Sequence, residues 1–128
     1  MQAPFAVTEA AVALAAASAT AYSTGANVGK SGTIVYAPVS QLGLSVVVSG
    51  FSAGEVDIVI QTATSEADAN GEWVDTGDRI NGVGANGTYQ IEIVNPIIDK
   101  VRIAVEINTT ATMTLTPSWI SDNQLELI

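Results

Sequence analysis

Five stretches of this chain alternate between apolar and polar side chains with a period of two. Leu42, Leu44, Val46 and Val48 share one parity. Val56, Ile58 and Ile60 follow, with Asp57 and Gln61 opposite. Tyr89, Ile91 and Ile93 alternate with Gln90 and Glu92, and Val101, Ile103, Val105 and Ile107 with Arg102, Ala104 and Glu106. Met113, Leu115, Pro117 and Trp119 alternate with Thr112, Thr114, Thr116 and Ser118. Successive side chains of a strand point to opposite faces, so this pattern predicts half-buried antiparallel strands. Weaker strand candidates are Tyr22–Val28, Thr33–Ala37 and Glu72–Thr76.

Composition agrees. There are 27 valines and isoleucines against six leucines, and thirteen threonines. β-branched side chains are stiff in helices and suit a pleated surface. Turn signals fall between the runs: Gly50 to Gly54, Asn70-Gly71, Gly82 to Gly87, Asn95-Pro96 and Asn108-Thr109-Thr110. The expected fold is all-β, a single antiparallel β-sandwich of jelly-roll or Ig-like type over residues 32–128. In 128 residues there is room for one such domain. Residues 1–31 are expected to form an N-terminal arm or the first strand. Thr8 to Ala21 is alanine-rich and Thr8 could cap a helix ending at Gly25, but side chains this small give a helix little to pack with.

The chain holds no cysteine and no histidine, which removes disulfides, thiolate nucleophiles, Ser-His-Asp triads and His- or Cys-ligated metal centres. The formal net charge is −9, so nucleic acid and anionic membrane are not expected partners. Residues 1–54 carry only Glu9 and Lys30, whereas residues 55–128 carry all the other charges. No apolar run approaches the ~20 residues of a membrane-spanning helix, and no basic start marks a signal peptide.

Several motifs suggest chemistry that their context denies. Thr24–Ser31 resembles a phosphate-binding loop, but Thr24 stands where the first glycine belongs and a strand-like Thr33-Ile-Val-Tyr36 follows. Gly82-x-Gly84-x-x-Gly87 has dinucleotide-binding spacing, yet it leads into a strand and not a helix. Asp68-Ala-Asn70-Gly-Glu72 begins like a calcium loop but places Trp73 where glycine is required. Asn86-Gly-Thr88 and Asn108-Thr-Thr110 are glycosylation sequons that matter only on secretion. Asp75 with Asp78, and Glu55 with Asp57, are neighbouring carboxylates of the kind glycosidases use, with nothing to place them in a cleft. Tyr89, Ile103 and Trp119 continue core parities, while the direction of Trp73 is open. Catalytic, cofactor-binding and metal-binding residues are all expected to be absent, and the chain is expected not to be an enzyme.

The pieces of the chain also come in a definite order. A neutral segment ends in Asn27-Val-Gly-Lys30, and Leu44-Ser-Val-Val-Val-Ser49 comes next. Then come Val56-Asp-Ile-Val-Ile-Gln-Thr62, a turn from Ser65 to Gly71, and Glu72-Trp73. A glycine-bearing loop leads to Tyr89–Val94, and Val101-Arg-Ile103 follows. In this order of pieces the stretch from Gly32 to Trp119 resembles small tailed-phage virion proteins of the β-sandwich capsid decoration or cement type. The resemblance implies a non-catalytic bacteriophage structural protein on the capsid surface, made in the host cytoplasm. It would bind the major capsid protein or other virion proteins, and a homo-oligomer, such as a trimer, is expected. A carbohydrate-binding or adhesin-type sandwich module is the alternative. Low charge in residues 1–54 suits a protein-docking surface, which loses charge at its centre.

Overall fold

A computed structural model describes residues 5–27, 42–63, 72–95, 97–98 and 100–121. Thr33–Ala37, Lys30, Asp68 and the Asn70-Gly71 turn lie outside them. Every regular element among the described residues is a strand: β1 (Phe5–Thr8), β2 (Val12–Ala17), β3 (Ala21–Tyr22), β4 (Ala26–Asn27), β5 (Leu42–Ala63), β6 (Val74–Val83), β7 (Gly87–Ile93) and β8 (Lys100–Ser121). They form one antiparallel sheet on the path β1-β8-β5-β6, with β2, β3 and β4 also on β8 and β7 on β5.

Two 22-residue strands, β5 and β8, pair along nearly their whole lengths, from Leu42↔Ser121 to Ala63↔Lys100. On the far side of β8, the four short strands β1 to β4 run end to end, from Phe5↔Ser121 to Asn27↔Lys100. On the far side of β5, β6 and β7 do the same, from Thr62↔Val74 to Leu42↔Ile93. Residues 5–27 therefore form four short strands and no helix.

All four ribbons break at one level. The β5–β8 ladder shifts register between Ser49 and Val56, β2 gives way to β3 after Ala17, and β6 gives way to β7 after Val83. Gly50 to Gly54 and Asn108 to Thr110, expected to separate strands, instead lie inside β5 and β8. Glycine and hydroxyl residues permit the bend there without ending the strand. Gly54 takes φ +97°, and an added Cβ would lie 2.4 Å from the Ala111 Cα, so the ribbons approach closely at the bend. Gly82 to Gly87, read as a turn signal, joins β6 to β7, which both pair with β5.

The apolar parities of both half-sheets bury together. Leu42, Leu44, Val46, Val48, Met113, Leu115 and Trp119 from one half share a core cluster with Val56, Ile58, Ile60, Val101, Ile103 and Val105 from the other. Trp119 and Ile103 are fully buried, as their parity predicts, and Tyr89 packs at the cluster's margin. Each fully buried Val, Leu or Ile contributes about 1.5–3 kcal/mol. Val12, Leu14 and Ala26 add the N-terminal ribbon to the same core.

Candidate functional site

Three polar or exposed features stand out against this core. The first lies inside it. Glu9, in the connection between β1 and β2, is only 7% exposed. Its Oε2 accepts hydrogen bonds from Trp119 Nε1 at 2.6 Å and Ser23 Oγ at 3.1 Å, and its Oε1 accepts from Thr24 Oγ1 and the Gly25 amide. Ser23 Oγ in turn accepts the Ile103 amide. A buried carboxylate needs donors on its lone pairs, and four converge here. Thr24 and Gly25 open the stretch that resembles a phosphate-binding loop, and the anion they hold is the chain's own carboxylate. Glu9 was legible as the lone acid of a neutral stretch, but nothing in the sequence pairs it with Trp119.

The second feature lies on the outer face of the half-sheet built from β3, β4, β6 and the adjoining ends of β5 and β8. The Arg102 guanidinium sits between two rings, 4.1 Å from the Tyr22 centroid and 4.5 Å from that of Trp73. Its Nε donates to Gln61 Oε1 at 2.7 Å, and Gln61 Nε2 donates to Asp75 Oδ1. Lys100 Nζ stands 5.7 Å from the Trp73 centroid. Arg102 is 4% exposed, and burial pushes its pKa down, partly countered by Tyr22 and Asp75. The guanidinium thus fills the gap between the two aromatic rings, where a sugar ring would have to stack. The same face carries Arg79, whose Nη2 donates to Asp57 at 2.9 Å and Glu106 at 3.0 Å. Asp57 also accepts the Gly82 amide and the Asn108 amide group. The Gly82 hydrogen bond is the largest cause holding Asp57 below the ordinary carboxylate value, and the Asp57 hydrogen bond is the largest cause raising Arg79.

The neighbouring carboxylates do not converge. Asp75 joins Gln61, whereas Asp78 is buried and accepts the Asn95 amide at 3.2 Å, fastening the end of β7. Asp57 is held in the Arg79 network, and Glu55 on the same strand is exposed. Among the described residues no three acids are gathered as metal ligands.

The third feature is the outer face of the other half-sheet. Its rows are Thr88–Val47–Thr116, Gln90–Ser45–Ser118 and Glu92–Gly43–Ile120. Ser49 and Thr114 extend it. Glu92 is its one charge among these residues. Val47 is 47% and Ile120 39% exposed. Gly43 has no side chain, so a shallow groove of about 330 Å³ opens over it between Gln90, Glu92 and Ile120. The period-two pattern predicted which residues share this face, but the sequence did not say that their row-mates would be hydroxyls and not charges. The chain matches no known protein family, no characterised protein and no solved structure.

Proposed function

We propose that this chain is a non-enzymatic structural protein of a virion, a capsid decoration or cement protein that docks on the major capsid lattice. The observation that carries the proposal is the division of charge between the two outer faces. One holds Asp57, Asp75, Arg79, Lys100, Arg102 and Glu106, while the other is an array of mostly Ser, Thr, Val, Gln and Ile with Glu92 alone charged among the described residues. Flat protein-docking surfaces are depleted of charge at their centre, because burying a charge without a partner is costly. The resemblance of Gly32 to Trp119 to small phage virion proteins supplies the nature of the partner. In this reading the bent sheet is a sandwich whose leaves share β5 and β8, the uncharged leaf facing the capsid and the charged leaf facing solvent. The supporting feature is the single core cluster drawn from both half-sheets.

The test is co-sedimentation with capsids of the source virus that lack the protein. The wild-type chain pellets with them, and Val47→Glu or Thr116→Glu stays in the supernatant with an unchanged melting temperature. Pelleting of both variants as well as wild type would remove this face from the interface, and failure of the wild type to pellet would overturn the decoration role. The glycan-binding alternative is left with the Tyr22 and Trp73 rings beside Lys100, whose gap the Arg102 guanidinium already occupies. It requires a glycan array signal that Trp73→Ala abolishes.

A further inference from the structure

The sheet has three open stretches of edge among the described residues, and two of them are guarded. The β1–β4 edge is broken into four short strands, with a register shift between Leu14 and Ala17 and Ala16 at φ 51°. The β6 edge carries Asp75, Asp78 and Arg79 and shifts register twice against β5. Charge, irregularity and bulges are the usual means by which proteins keep sheet edges from pairing with other chains. β7 has no bulge and no irregularity, and a single charge. Its seven residues pair with β5 without a break, from Gly87↔Val48 to Ile93↔Leu42. It contains no proline and no lysine, and Glu92 is its one charge. No described strand pairs with its other side.

We propose that β7 is a homotypic interface, pairing antiparallel across a two-fold axis with β7 of a second copy of this chain. Centring the pair on Gln90 fixes the register. Glu92 then stands opposite the second copy's Thr88, and Ile91 opposite its Tyr89. The two glutamates avoid each other, and the apolar parity of β7 stays continuous across the junction. Elsewhere two chains of net charge −9 repel, while the outer face that flanks β7 is nearly uncharged and lets them approach. Backbone hydrogen bonds along ~24 Å of strand join the two sheets into one. An interface this narrow gives a dimer with Kd on the order of micromolar. The pairing does not depend on the docking role, since it uses the edge of the sheet and not its face.

Thr88 is exposed, so its variants report on pairing without disturbing the core. Sedimentation velocity over a concentration series gives the dissociation constant, with circular dichroism confirming the fold. The wild type forms a dimer. Thr88→Glu sets two acids against the two copies of Glu92 and raises Kd about tenfold, whereas Thr88→Lys sets opposite charges there and lowers it several-fold. Hydrogen exchange across residues 87–93 slows as the protein is concentrated. A wild type that stays monomeric at ~1 mM, a trimer, or a dimer indifferent to both Thr88 variants would overturn the proposal. The particle co-sedimentation above reads the docking role separately.

Discussion

Trp119 donates its indole N–H to the Glu9 carboxylate at 2.6 Å, across 110 residues of sequence. Both groups are buried, and the bond fastens the connection between β1 and β2 to the C-terminal end of β8. Glu9→Ala strands the indole N–H, two hydroxyls and the Gly25 amide, and is expected to cost about 3–5 kcal/mol. Trp119→Ala is expected to cost a similar ~3–5 kcal/mol through the cavity it leaves. A double-mutant cycle of Glu9→Ala with Trp119→Phe, read by urea denaturation, should give a coupling of about 1.5–3 kcal/mol for the charge-assisted bond. Additive losses would mean that the two residues act independently.

Gly54 and Gly50 share positive φ but not surroundings. A Cβ at Gly54 would meet the Thr110 carbonyl oxygen and the Ala111 Cα at 2.4 Å, whereas nothing lies within 4 Å of one at Gly50. Gly50→Ala is expected to cost about 1–2 kcal/mol for its backbone alone. Gly54→Ala must also push β5 and β8 apart at the bend, and is expected to cost about 3–5 kcal/mol. Equal melting temperatures for the two variants would refute a close approach at the bend.

Asp57 is held below the ordinary carboxylate value of 3.8, chiefly by the Gly82 amide. A carboxylate depressed on folding stabilises the protein above its unfolded value, and that stability is lost as pH falls through the folded value. Wild type should therefore exceed Asp57→Asn in stability at neutral pH, with the difference shrinking below about pH 3.8. The effect is modest and falls further in high salt, because Arg79 is substantially exposed. A pH-independent difference would point to packing in place of charge.

Arg102 is expected to resist replacement by lysine. An ammonium cannot stack flat between Tyr22 and Trp73 while donating to Gln61. Arg102→Lys should cost about 1–2 kcal/mol and shift the Trp73 fluorescence to longer wavelength, leaving Trp119 in its buried surroundings. An unchanged spectrum would mean that the stack does not order Trp73.

Removing residues 1–20 takes away β1, β2 and Glu9, and with them Val12 and Leu14 from the core. It also bares one edge of β8 beside Trp119. The truncated chain is expected to lose its β circular dichroism signal and its cooperative melt. A folded, cooperatively melting product would show instead that this ribbon is a detachable arm.

The sequence by itself determined which residues of β5, β7 and β8 face the core, while most of β6 lay outside the expected strands. Alternation is a local property, so Leu44, Ile58, Ile103 and Trp119 could be assigned to the core before any partner was known. The glycines at 50 and 54 announced a change of direction, but the same residues serve a loop or a bend, and only tertiary contact distinguishes them. Whether β5 continues through Gly54 depends on β8 lying alongside to hold the ladder together. The partners of Glu9 and Arg102 were likewise invisible, because Arg102 reaches 41 positions to Gln61 and 80 to Tyr22, Glu9 reaches 110 to Trp119, and the chain carries no signal for register at that range. The neutral first 54 residues pointed to a low-charge surface, yet where that surface lies was decided by pairing. β5 places Ser45 and Val47 beside Ser118 and Thr116, so the nearly uncharged face is assembled from segments far apart in the sequence.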